Sequence, residues 1–343
     1  MSYNSKFEEV FKKVSIDSYA DFSKEMKLQW NRLKNQHYDM EKSCQFYDCK
    51  DLVRENLKNR FSVYLGNVLF DLLLKEPEQS EDKKNLFVIF SASREPSEAI
   101  PVFKRNSYMP FCPGYVLNVS DPMLSMYKQL RRGWFYGTRK EAYIEYLAVI
   151  VNRIRDLLGI ENRNVYFFGS SAGGYASLQI SNYLDGTNHI AVNPQIDLKQ
   201  TSANSMLSKL LGTTVDEKDP FRRNETSDII KENISTNRYL IIQNLTDENH
   251  CSKHLFPMLK NLNVSELNYG LNQVHDNMLV WIYDVIGGHV AQGDRLIFSQ
   301  AVYMAMRLSS PDFRMEAQDN FLFQNFSCVW RMRDWYKNVI DTK

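Results

Sequence analysis

Short, continuous apolar runs recur along the chain after residue 85. They are Leu86-Phe-Val-Ile-Phe90, Tyr115-Val-Leu-Asn-Val119, Asn164 to Phe168, His189-Ile-Ala-Val192, Arg238-Tyr-Leu-Ile-Ile242 and Met278-Leu-Val-Trp-Ile-Tyr283. Runs of this length, rich in β-branched and aromatic residues, predict strands buried on both faces. Between them the spacing becomes helical. Glu141 to Leu158 sets Tyr143, Tyr146, Leu147, Ile150, Ile154, Leu157 and Leu158 on one face, and Ala172 to Tyr183, His254 to Leu262 and Asp294 to Leu308 are further predicted helices. This alternation predicts an α/β domain with a mostly parallel sheet covered by helices. Right-handed crossovers would bring the C-terminal ends of its strands to one edge.

Residues 1–80 carry a helical period instead, with Phe7, Val10, Phe11 and Val14 on one stripe and Phe61, Leu65, Val68, Leu69 and Leu72 on another. They predict a helical appendage that ends at the charged, proline-containing break Glu76-Pro-Glu-Gln-Ser-Glu-Asp-Lys-Lys84. The domain then runs over residues 81–310, interrupted by a polar stretch at 198–236 that predicts a cap or lid over the strand ends. Residues 311–343 form a C-terminal arm in which Phe313, Phe321, Phe323, Phe326, Trp330 and Trp335 stand among Arg314, Arg331 and Arg333. Such an arm packs on its own domain or makes an oligomer or membrane-surface contact.

Composition narrows the function. With 343 residues and 43% apolar positions the chain can bury a large core. A net charge of +1, from 42 basic and 41 acidic residues with no basic stripe, excludes a nucleic-acid partner. The five cysteines are scattered, without zinc spacing, and an odd number cannot close a complete disulfide framework. The N-terminus lacks a signal-peptide core and no run reaches the roughly 18 apolar residues of a membrane span, so a reducing cytoplasm is the expected home. No phosphate-binding lysine follows the glycines at 169–174, no nicotinamide fingerprint is present, and no tightly bound cofactor or metal is expected.

The candidate chemistry sits in Val165-Tyr-Phe-Phe-Gly-Ser-Ser-Ala-Gly-Gly-Tyr175. Here a Gly-x-Ser-x-Gly lies between a predicted strand and a predicted helix, the arrangement that raises a nucleophilic serine, Ser171, above the edge of a sheet. The Ala172 N–H would face a developing oxyanion, and Ala92 or Ser93, just after the first apolar run, are candidates for the second donor by position. A serine hydroxyl needs a base, and the base needs an orienting group. His289, in a Gly-Gly-His loop after the last strand, is the chosen base, with His275 the runner-up. Asp247, after the penultimate strand, is the chosen acid, with Asp197 and Glu248 as alternatives. Trp134 and Tyr136, in the aromatic cluster Gly133-Trp-Phe-Tyr-Gly137, are either loop residues buried under helices or a substrate-side surface that stacks on a sugar or closes an acyl pocket.

Gly169-x-Ser171-x-Gly173, then Asp247, then Gly-Gly-His289 resembles the α/β-hydrolase family over about residues 85–310. More narrowly, Gly169-Ser-Ser-Ala-Gly-Gly-Tyr175, Asn193-Pro-Gln195, Ser120-Asp-Pro122 and Gly133-Trp-x-Tyr-Gly137 are similar to bacterial proteins of capsule and surface-polysaccharide loci. The resemblance implies O-acetylation of a polysaccharide or oligosaccharide acceptor, with acetyl-CoA as donor co-substrate. An esterase or deacetylase using the same triad with water as acceptor is the alternative. The family's His-Gly-Gly-Gly loop is missing here, and the N-terminal segment and aromatic arm match no part of the pattern.

Overall fold

The predicted apolar runs become neighbouring strands of one sheet in the computed structural model. It describes residues 45–324 except 67, 96, 128–129, 212–214, 216–218, 290–294, 317–318 and 320–322. The predicted stripe Phe7 to Val14, together with Phe321, Phe326, Trp330, Arg331, Arg333 and Trp335, lies outside the described residues. The strands are β1 (Gln45–Asp48), β2 (Asn59–Leu65), β3 (Val68–Lys75), β4 (Leu86–Phe90), β5 (Tyr115–Val119), β6 (Val165–Ser170), β7 (Asn188–Val192), β8 (Arg238–Asn244), β9 (Gly270–His275) and β10 (Met278–Tyr283). They form a 10-stranded sheet in the order β1-β2-β3-β5-β4-β6-β7-β8-β10-β9. The central β5-β4-β6-β7-β8-β10 block is parallel.

The two faces of the sheet follow from the two-residue period of a strand. On β4, Leu86, Val88 and Phe90 face one way, into a core with Ile150, Val151 and Ile154 of the helix Tyr143–Leu158, while Phe87 and Ile89 face the other, with Ile297, Phe298 and Ala301 of Arg295–Leu308. Helices α1 (Pro122–Met126), α2 (Tyr143–Leu158), α3 (Ala172–Gln179), α4 (Ala203–Leu211), α5 (Ser227–Asn233), α6 (Phe256–Asn261) and α7 (Arg295–Leu308) cover the strands. The edge formed by the C-terminal ends of β4, β6, β8 and β10 receives the loops that carry the candidate residues.

The helical reading of residues 61–72 is corrected by the β2–β3 hairpin. Leu65 pairs with Val68 across a two-residue turn, and Gly66 takes the positive φ of 61° that the turn demands. The boundary at 76–84 does not separate two bodies, because β3 pairs with β5 across it and Phe61, Phe70 and Leu72 share a core with Phe90 and Leu117. The described part of the C-terminal arm packs on its own domain, with Phe323 buried edge-on against Trp281 at 4.7 Å. Among the described residues no helix is long and apolar enough to cross a membrane.

Candidate active site

Ser171 stands between β6 and α3 with φ 53° and ψ −117°, a conformation that L-residues avoid. Three contacts over-determine it. The Ser171 N–H donates to Val192 O at 3.0 Å, and the Ser171 carbonyl accepts from Tyr175 N–H at 3.0 Å and from Gln195 N–H at 3.2 Å. The glycines permit the bend: a Cβ on Gly169 would overlap the Gly173 carbonyl, and one on Gly173 would crowd Phe90 O at 3.0 Å and Ser91 O at 3.1 Å. Gly169→Ala therefore has nowhere to relax. We expect it to destabilise the chain by more than about 3 kcal/mol, read as a lowered denaturant midpoint or lost soluble protein.

Asp247 follows β8 and His289 follows β10, the strand beside it. His289 Nδ1 donates to Asp247 Oδ2 at 2.7 Å, which leaves Nε2 free to accept a proton. Asn244, fully buried, ties the two loops together: its amide donates to Val285 O and Gly288 O at 2.8 and 2.9 Å, and its Oδ1 accepts from Val285 N–H at 2.9 Å. The nucleophile side is joined to the acid side by Asn193, whose Oδ1 accepts from Asn244 N–H at 2.9 Å and whose amide reaches Asp247 Oδ2 at 3.4 Å. No hydrogen bond joins Ser171 Oγ to His289 among the described residues; in resting enzymes such contacts are often long and tighten with substrate.

The oxyanion candidates meet at the same edge. Ala172 opens α3, where first-turn N–H groups have no partner within the helix. Ala92 and Ser93 are half-buried just after β4, in a loop stapled by Ser91 Oγ donating to Val102 O at 2.7 Å.

No family model matches the chain, and no curated protein matches it by sequence. Comparison with solved structures finds the capsule O-acetyltransferase of Neisseria meningitidis serogroup A. It is 19% identical, with 73% of this chain covering 99% of that one at a TM-score of 0.51. A second structure of that protein gives 20% identity and a TM-score of 0.50. A glycosylation-associated protein complex from Streptococcus agalactiae matches 74% of this chain at 16% identity and a TM-score of 0.50, over 47% of its own length. The chain has the α/β-hydrolase fold.

In this hydrolase-fold chain the base alternative His275 is displaced by topology. It ends β9, opposite Met278 at the start of β10, while His289 follows the far end of that strand. Asp197 instead caps a turn by accepting from Lys199 N–H at 2.9 Å. Of the two readings of Trp134 and Tyr136, the structure has the buried one: they are interior residues, 2% and 3% exposed, with no ring face open for stacking on a sugar. Trp134 Nε1–H donates to Gln195 Oε1 at 2.6 Å, and the Tyr136 hydroxyl to Asn224 Oδ1 at 3.0 Å. Both rings pack with Ala172 and Tyr175, so they form a wall behind the elbow. Leu198, Ala203 and Val215 pack with Ala172 and Tyr175 of α3. Arg223 is buried, pairs with Asp219 at 2.9 Å and donates to the carbonyls of Tyr136, Thr138 and Glu141, which pins the polar stretch onto the aromatic loop. Its last helix, α5, belongs to the crossover between β7 and β8, so the extra segment ends before residue 227.

His250 is the residue near the site that pattern reading passed over. Its Nδ1 pairs with Asp247 Oδ1 at 3.2 Å, its ring stacks on His289 at 4.1 Å, and its buried Nε2 has no hydrogen-bond partner among the described residues. The ligand-type atoms of Asp247, His250 and His289 lie within 4.8 Å of one another, with both Nδ1 atoms directed at carboxylate oxygens. Burial alone would raise the Asp247 carboxyl. The hydrogen bonds and charges of His250 and His289 outweigh it and hold the group well below the usual carboxylate range.

Two other histidines set an acid limit on stability. Burial pushes His189 and His254 down to about 3; His189 Nδ1 pairs with Ser177 O at 2.6 Å, and His254 Nδ1 accepts from Ile196 N–H at 3.3 Å. A histidine depressed in the fold contributes stability that is present above its unfolded value of about 6.5 and is lost as pH falls toward 3. Asp121 runs the other way: burial raises it to about 6, against backbone hydrogen bonds, so its contribution is present below about 4 and lost as pH rises through 6. Burial raises Glu225 as well, in the same sense as Asp121, but the two histidines are displaced furthest, so the unfolding free energy should fall between pH 6.5 and 4, by up to about 1.4 kcal/mol per pH unit for each uncompensated histidine. Urea titrations at pH 7 and pH 5 check this; equal stability at both would contradict it.

Proposed function

We propose that this chain is a serine-dependent acyltransferase which O-acetylates a capsular or surface polysaccharide from acetyl-CoA through an acetyl-Ser171 intermediate. The observation that carries the reading is the His289–Asp247 hydrogen bond at 2.7 Å on the strand edge that also carries Ser171 in its strained bend. Ser171 Oγ attacks the thioester carbonyl while His289 Nε2 takes its proton. Asp247 keeps the imidazole in the tautomer with Nδ1–H and stabilises the cation formed. Ala172 N–H and an N–H of Ala92 or Ser93 hold the oxyanion, whose collapse expels CoA thiolate, protonated by His289. An acceptor hydroxyl then repeats the sequence on the acetyl ester. The choice of a polysaccharide acceptor is supported by the motifs shared with capsule-locus proteins and by the likeness to a capsule O-acetyltransferase.

An esterase or deacetylase reading is favoured by the exposure of the His289 side chain, 33%, which leaves water a route to the same imidazole. Partitioning separates the two. With acetyl-CoA and candidate polysaccharides, a transferase forms polysaccharide-bound acetyl ester in excess of free acetate. Acetate alone, unchanged by any acceptor, makes water the acceptor and sets the transferase reading aside.

A further inference from the structure

Arg105, in the loop between β4 and β5, has a left-handed backbone with φ 61° and ψ 24°. Its side chain reaches the end of β6, where Nη2 donates to Ser170 Oγ at 2.5 Å, one residue before the nucleophile. The guanidinium lies 5.4 Å from the Phe168 ring centroid and 6.0 Å from that of Tyr108, and its buried Nε has no hydrogen-bond partner among the described residues. No carboxylate pairs with it among the described residues. Buried Arg223 meets Asp219 and the part-exposed Arg307 meets Asp319, whereas buried Arg94 donates to the carbonyls of Leu130 and Glu98. A second cation stands close by, because Arg295, which opens α7 after the His289 loop, lies 5.7 Å from the same Tyr108 ring.

A guanidinium stays protonated and presents five donors in a planar fork. Withdrawing it from water without a counter-charge costs several kcal/mol unless an anion completes the site. Planar, bidentate recognition of a tetrahedral oxyanion is what such a fork does best. Burial also holds Arg105 below its ordinary pKa, with only Tyr108 opposing, which agrees with a cation lacking an acidic neighbour.

We propose that Arg105, with the Ser170 hydroxyl, binds a phosphate group of a substrate beside the nucleophile. The site itself is independent of the acyl-transfer reading; the carrier of the phosphate, either CoA or a phosphodiester of the acceptor, rests on it. The test is isothermal titration of the full chain with inorganic pyrophosphate at low ionic strength, for wild type, Arg105→Gln, Arg105→Lys and Ser170→Ala, with circular dichroism confirming each fold. Wild type should bind saturably. Arg105→Gln should weaken binding about tenfold or more, and Arg105→Lys should lose part of it, because a lysine restores charge but not the fork. No saturable binding by wild type overturns the proposal, as does wild-type binding by folded Arg105→Gln. If Arg105→Gln does not fold, unchanged binding by both Arg105→Lys and Ser170→Ala overturns it. Displacement of pyrophosphate by CoA but not by dephospho-CoA assigns the donor's 3′-phosphate, and displacement by a phosphodiester-linked glycan assigns the acceptor. Displacement by none of these overturns the substrate role. Because binding is read without turnover, absence of an acetyl-enzyme would remove the proposed activity and leave this site standing.

Discussion

Ser171→Ala should lower turnover of acetyl-CoA, and of any simple acetyl ester, by roughly four orders of magnitude or more while the fold survives. The size follows from the chemistry. Removing the hydroxyl abolishes the covalent route outright, and the residual rate is what the oxyanion donors and substrate binding supply by themselves. The fold should survive because Ser171 is held by main-chain bonds to Val192, Tyr175 and Gln195, all of which alanine keeps. Initial rates beside a thermal melt check both halves. A folded Ser171→Ala protein with near-native rates would show that the strained serine is not the nucleophile.

Asp247→Asn should cost about three to four orders of magnitude in kcat with little change in KM. The carboxylate accepts from two imidazoles at once, His289 on Oδ2 and His250 on Oδ1. An amide has one accepting oxygen, and its NH2 would present donors where one ring now donates. His289 would then turn over or shift its proton to Nε2, and its capacity as a base would go. His250→Gln separates the two partners. It removes the ring stacked on His289 but leaves the Oδ2 bond, so we expect a loss of about tenfold in kcat with KM unchanged. If His250→Gln proves as damaging as Asp247→Asn, the two histidines have exchanged roles. Steady-state kinetics on the three proteins decides this.

The parallel sheet was legible because its strands are short, uninterrupted apolar runs, a pattern that arises when both faces are covered. The hairpin was not. Phe61, Leu65, Val68, Leu69 and Leu72 fit a helical stripe, yet Phe61 and Val63, and then Phe70, Leu72 and Leu74, are buried at strand spacing. Both periods fit so leucine-rich a segment, and the deciding signal was the Gly66-Asn67 pair, a two-residue hairpin turn by composition. β9 escaped notice because it is an edge strand with only Gly270 and Leu271 buried.

The site divides in the same way. Ser171, Asp247 and His289 were legible as candidates because each follows a strand in an order that fixes its place at the edge, and chain order is a one-dimensional property. What surrounds them is long-range: Asn244 grips the loop of Val285 and Gly288, and Arg105 reaches Ser170. No local pattern announces such partners. The aromatic loop shows the same limit, since Trp134 and Tyr136 became wall instead of surface through Gln195, Asn224 and Arg223, which lie far along the chain.

Time-resolved intact mass of the purified chain mixed with acetyl-CoA, beside Ser171→Ala, tests the account most directly. We expect an added mass of about 42 Da, one acetyl group, in wild type alone, and its discharge faster by an acceptor polysaccharide than by water. An adduct that persists in Ser171→Ala, or none formed from acetyl-CoA while a simple acetyl ester is still hydrolysed through Ser171, would contradict an acetyl-serine transferase.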